Sequence, residues 1–147
     1  MDQRVKELMS KVADEIGSEV KTCQSGLVLM ISLPNERKQE VFFTEVAGGE
    51  YLKFLSVVKF YADSQEFKTK INLLETVLRA NVKVTEGAYG IVDLPSPYGN
   101  GDAPALVFVS NQHIKTADLE EIENKIASAA KHADELEKIT SGGLDSF

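Results

Sequence analysis

The chain has 147 residues, of which 43% are hydrophobic and 27% charged, with a formal net charge of −7. That length allows one core without disulfide or metal staples, and that balance excludes a disordered or fibrous chain. The acidic excess, which no Lys/Arg cluster reverses locally, repels a phosphate backbone, so nucleic acid is not expected as a partner and basic clients are favoured.

From Met1 to Lys11, Asp2, Arg4, Lys6, Glu7 and Lys11 interrupt the apolar residues. A secretory signal does not tolerate that mixture, so no export signal is expected. In the same segment Val5, Leu8, Met9, Val12, Ala13 and Ile16 recur at helical spacing, and Gly17 supplies a left-handed stop. Leu27 to Leu33 is an apolar run closed by Pro34-Asn35-Glu36, and Glu40 to Ala47 carries Val41, Phe42, Phe43 and Val46 before Gly48-Gly49. Both are predicted strands with turns after them. The longest apolar stretch, 26–33, falls far short of the roughly 20 residues that cross a bilayer, so no membrane anchor is expected. Tyr51 to Tyr61 is predicted as a third strand and the longest, with Leu52, Phe54, Val58 and Phe60 on one side of its alternation.

Asp63 and Glu66 form a capping-box-like start, and Phe67, Ile71, Leu74 and Leu78 mark one face of a second helix that runs to about Asn81. Tyr89 to Leu94 and Ala105 to Ser110 are predicted as two strands joined by an exposed loop of turn formers, 95–102. Thr116 is placed to cap a last, long helix whose apolar face is Leu119, Ile122, Ile126, Ala129, Ala130, Ala133 and Leu136. Residues 141–147 lack periodicity and are read as a tail. The expected fold is a single α+β domain over 1–140, of order α-β-β-β-α-β-β-α, with an antiparallel sheet packed against helices.

No constellation for chemistry emerges, and no catalytic, cofactor-binding or metal-binding residue is assigned. His113 and His132 are the two histidines, and neither has neighbours at metal-ligand spacing. His113 follows a strand as a surface or capping residue, and His132 falls among the polar positions of the last helix. Cys23, the single cysteine, excludes an intrachain disulfide and suits a cytoplasmic setting. Only Lys21 nearby could lower its pKa, so it is read as a packed thiol rather than a nucleophile. Glu120, Glu121 and Glu123 fall in the first turns of a helix, where its dipole favours carboxylates. Gly87-Ala88-Tyr89-Gly90 lacks the helical flanks and basic surface of a nucleic-acid GxxG loop, and Gly99-Asn100-Gly101 lacks the strand-to-helix turn of a dinucleotide site.

The first sheet is the informative region. A face that meets only water should be polar, yet Leu55 and Val57 oppose Leu52, Phe54, Val58 and Phe60 in one strand, and Val41 and Phe43 alternate with Phe42 and Val46 in its neighbour. Apolar groups on both faces call for a second cover: a helix of the same chain, a second copy, or a bound partner segment.

Leu73-Leu74-Glu75-Thr76-Val77-Leu78-Arg79-Ala80-Asn81, then Gly87-Ala88-Tyr89-Gly90-Ile91-Val92-Asp93, is similar to the helix ending in asparagine and the glycine-bearing start of the second hairpin in a known superfamily. That superfamily contains YbjN-type proteins and the class I (Tir/CesT-like) type III secretion chaperones. Thr116 to Ile122 resembles the start of its last helix, and Ala129 to Leu136 the amphipathic continuation. Asn111-Gln112-His113-Ile114 departs from it, standing where relatives often carry a Leu-Pro-Leu-like junction. The resemblance implies a homodimer-forming domain without enzymatic activity, chaperone- or adaptor-like, that holds a partner polypeptide segment on apolar patches. The alternative it offers is a YbjN-like regulatory or stress-associated domain. Strand addition with side-chain sockets fits the first reading, making Val41, Phe43, Leu55 and Val57 candidate protein-binding residues. By the same resemblance Ile71, Leu74 and Leu78 are candidate dimer-interface residues.

Overall fold

The computed structural model describes residues 1–24, 26–61, 71–99 and 101–141. Helix α1 spans Gln3–Ile16, and strands β1 Val20–Cys23, β2 Gly26–Ser32, β3 Lys38–Val46 and β4 Tyr51–Phe60 follow. Helix α2 is Ile71–Asn81, and β5 Ala88–Pro95, β6 Asp102–His113 and helix α3 Leu119–Ser141 complete the order α-β-β-β-β-α-β-β-α. The expected α+β class holds, with one strand more than expected before the second helix. β1 escapes the sequence pattern because it is four residues long and pairs as the outer arm of a hairpin, Val20 opposite Leu29 and Cys23 opposite Gly26. The predicted helix start at Asp63, Glu66 and Phe67 lies outside the described residues, as does the predicted tail 141–147 apart from Ser141, which belongs to α3 instead.

All strand pairs are antiparallel and form one sheet of order β1-β2-β3-β4-β6-β5. β6, at 12 residues, is longer than β4 at 10, contrary to the expectation that β4 would be the longest. α3 lies across β3, β4 and β6 with α1 beside it, and α2 packs on β5.

α1 buries Val5, Met9, Val12 and Ala13, spaced to share one face. The Asp2 carboxylate accepts the Arg4 N–H at 2.8 Å, and Gly17 closes the helix at φ 68° while Ser18 N–H reaches Ala13 O at 2.9 Å. α3 begins with a reciprocal box in which Glu121 N–H donates to Asp118 Oδ1 at 2.8 Å and Asp118 N–H to Glu121 Oε2 at 3.3 Å. Asp118, not Thr116, is therefore the cap; the Thr116 hydroxyl donates to His113 O instead. Ile122, Ile126, Ala129, Ala130, Ala133 and Leu136 of α3 bury against the sheet as expected, and the run of alanines lets the helix approach closely.

The Asn81 side chain closes α2 onto the next hairpin. Its Oδ1 accepts Tyr89 N–H at 2.7 Å and its amide donates to Tyr89 O at 3.2 Å, so it pairs with the start of β5 as a neighbouring strand would. Gly87 completes the turn at φ 82°, where a Cβ would meet Val109 O at 2.5 Å.

Candidate functional site: the second face of the sheet

The helices cover one face. Beneath them lie Leu29, Val41, Phe43, Leu52, Phe54, Val58, Leu106 and Phe108, all essentially inaccessible, with Phe43 edge-on to Phe54 at 5.3 Å. Register fixes what faces the other way. Phe42 stands opposite Leu55, Leu55 opposite Val109, and Val57 opposite Val107. Beyond Val57 the β4–β6 register slips, so that Lys59 pairs with Leu106 and Phe60 with Ala105. This bulge turns Phe60 away from the side of Leu52, Phe54 and Val58, where strict alternation puts it, onto the opposite face beside Val92.

A separate apolar cluster results. Ala105 and Val107 at its floor are inaccessible, Leu55 and Val57 are under a tenth exposed, and Phe42, Phe60, Val92, Leu94 and Val109 stand half-buried around them. Among the described residues no helix side chain joins this cluster. The walls enclose a groove of about 460 Å³, within the range of ligand-sized clefts, with Cys23, Gln24, Thr44 and Lys53 on its polar side.

The four candidate socket residues divide between the faces. Leu55 and Val57 are on the second face, whereas Val41 and Phe43 point beneath the helices with 0% and 1% exposure and are closed to any partner. The hairpin register puts Phe42, not its neighbours, next to Leu55. Of the candidate dimer residues, Leu74 is half-buried against the helix-side core, Leu78 is 67% exposed, and the side chain of Ile71 lies outside the described residues. Phe42, Lys53, Phe60, Val92 and Leu94 are among the groove residues that the sequence pattern did not single out.

A second polar feature ties the sheet to α3 from the helix side. Arg37 Nε donates to Asp134 Oδ1, and its guanidinium lies 3.4 Å from Glu137 Oε1. The Gln39 amide donates to Glu137, and the Ser56 hydroxyl lies 3.1 Å from Gln39 Oε1. Lys138 reaches the other Asp134 oxygen at 2.7 Å. Burial raises the Asp134 pKa, but hydrogen bonds from Lys138 and Arg37 and their charges outweigh it and hold the carboxyl below its usual range. Both acids sit in phase with the apolar stripe of α3, which was their one signal in the sequence.

Tyr89 is half wrapped by aromatic rings, edge-on to Phe108 at 5.2 Å, and its hydroxyl donates to His132 O at 2.8 Å. Burial, with Glu135 nearby, pushes its pKa up to about 12. His132 is not on a purely polar face as expected: it stacks on Phe108 at 4.5 Å and contacts Ser128 O at 2.8 Å. His113 closes β6 edge-on to Tyr51 at 5.1 Å. Among the described residues no three His, Cys, Asp or Glu side chains converge to hold a metal, and no helix is long and apolar enough to cross a membrane.

No protein-family model matches the sequence, and no curated protein matches it. Among solved structures, the crystal structure of YbjN from E. coli, provisionally assigned there as a transcription regulator, superposes with a TM-score of 0.60. The match covers 91% of this chain and 89% of that one. The chain shares the YbjN fold. At 8% identity the likeness is one of backbone architecture, in agreement with the fold expected from Leu73 to Leu136. In this YbjN fold the six-stranded sheet is the scaffold that sets both apolar faces described above.

Proposed function

We propose that the chain is a non-enzymatic polypeptide-binding domain, chaperone- or adaptor-like, that holds a partner segment across the second face of its sheet in the cytoplasm. The observation that carries this reading is the apolar cluster of Leu55, Val57, Ala105 and Val107, ringed by half-buried Phe42, Phe60, Val92 and Leu94 and joined by no described helix. Full cover of such a side chain is worth about 1.5–3 kcal/mol, so completing the cover of four half-buried ones adds several kcal/mol to association. Side-chain docking on the face is favoured over strand addition at the start of β5, because Asn81 already bonds both backbone groups of Tyr89 there. The exposed Leu78 and Val82 at the end of α2 suit a homodimer contact that leaves the groove free.

The YbjN likeness supports a second reading, a regulatory domain whose second face is closed by another copy. One experiment separates the two. A photo-crosslinker placed on Cys23, at the groove rim, should capture a different polypeptide in the protein's own cell extract. Capture should be lost in Phe42→Ser and in Leu94→Ser while both variants keep the wild-type circular dichroism. Adducts formed only between copies of the chain, or capture indifferent to both substitutions, would remove the partner reading.

A further inference from the structure

The charge at the groove extends this reading and rests on it. Of the side chains that line the groove, Lys53 alone is charged. Its register neighbours are Thr44 on β3 and Asn111 on β6, neither of them acidic, and it is half-buried. Among the described residues no carboxylate pairs with it, whereas Arg37, Arg79, Lys125 and Lys138 all have acidic partners. Across the whole second face, register aligns Lys21 with Val28, Lys38 with Ser32 and Glu40 with Met30. Glu19 and Glu40 stand with Lys21 at the β1 end of this face, whereas Lys53 at the groove has no acid beside it among the described residues, on a chain whose total charge is −7.

We infer that the segment this face holds carries a carboxylate among its apolar residues, the apolar side chains filling the groove and the carboxylate meeting Lys53. The acidic excess of the whole molecule, which favours basic clients at long range, does not decide the contact. At physiological salt charges are screened beyond about 8–10 Å, while the charge of a half-buried lysine acts over contact distance on whatever enters beside it. A basic segment would bring a second cation against Lys53 in a partly apolar groove, and a like-charge contact there works against the gain from apolar cover. A second copy laid groove to groove would bring its own Lys53 against this one, a like-charge contact that disfavours self-association there.

Two fluorescein-labelled decapeptides with the same alternating Val and Phe residues, one interspersed with Asp and Ser and the other with Lys and Ser, test this by fluorescence anisotropy. Protection of Cys23 from alkylation places the bound peptide in the groove. The acidic probe should bind about tenfold more tightly, a ratio equivalent to about 1.4 kcal/mol. Lys53→Glu should reverse the order, and Lys53→Met should bind both probes equally. Equal affinity of the wild type for both peptides, or a preference that survives Lys53→Glu, would overturn the charge inference and leave the binding face standing. Failure of both peptides to protect Cys23 at millimolar concentration would count against the inference and the binding face together.

Discussion

Arg37→Met tests whether the buried ion network holds α3 to the sheet. In the native protein the Arg37 guanidinium faces Asp134 and lies 3.4 Å from the Glu137 carboxylate, whose side chain is 0% exposed. At that separation, with an effective dielectric constant of about 20, opposite charges attract by about 5 kcal/mol, most of which offsets the cost of removing them from water. Removing the cation forfeits the attraction and leaves the desolvation. Glu137 would keep the Gln39 amide, and Asp134 would keep Lys138, whose side chain is 44% exposed. The expected loss at pH 7 is about 3–5 kcal/mol by urea unfolding, a large share of an ordinary domain's stability. The double variant Arg37→Met/Glu137→Gln should recover at least about 1 kcal/mol of it, since a neutral amide can remain beside Gln39 without a counter-charge. Acid gives the sign. The Asp134 pKa is lowered in the fold, so its contribution is full above the unfolded value near 3.8 and disappears as pH falls through the folded value. The gap between wild type and Arg37→Met should therefore narrow between pH 7 and pH 3. A loss below about 1 kcal/mol, or a gap unchanged by acid, would refute a structural role for this pairing.

Three smaller perturbations follow from the same geometry. Asn81→Ala removes both bonds to the Tyr89 backbone and should cost about 1–3 kcal/mol in urea unfolding, with faster hydrogen exchange at the Tyr89 amide. Gly87→Ala combines a left-handed φ with a Cβ driven onto Val109 O, and should lower stability by more than about 1 kcal/mol, a loss that chemical denaturation would detect. Glu123→Gln should raise the melting temperature at pH 7. A hydrogen bond with Glu15 is the largest cause of its raised pKa, followed by burial and the charges of Glu15 and Glu120. A raised carboxyl pKa weakens the fold above that pKa and ceases to do so as pH falls, so the gain from Glu123→Gln should vanish near pH 4.

Helical periodicity exposed α1 and α3 nearly residue by residue, because each buries one stripe against one surface; Gly17 marked the end of α1, whereas the cap of α3 was expected at Thr116 and is Asp118. In β3, Phe42 and Phe43 are equally apolar, so alternation alone cannot say which meets the helices. The answer comes from pairing: Phe43 stands opposite Phe54, and Phe42 opposite Leu55. The partner of a strand is a long-range fact, and with it went the assignment of Val41 and Phe43. The Arg37 network was hidden for the same reason, its members being 97 and 100 residues apart in the chain, with no local pattern to join them.

The bulge between Val57 and Lys59 goes further, because it makes the candidate site. A β4 of unbroken alternation would send Phe60 under the helices with Val58 and leave the outer end of the second face to Ala105 and Val92. One extra residue sends it the other way, raises an aromatic wall opposite Leu94, and turns a flat apolar strip into a groove with Lys53 at one side. The property that distinguishes this surface from an ordinary sheet face is thus set by a single register step. Truncating that wall with Phe60→Ala should open the groove, and the accessibility of Cys23, which lines the same groove, to alkylating reagents would rise. A Phe60→Ala variant that folds with Cys23 reactivity unchanged would show that the groove does not depend on the side chain the bulge redirects.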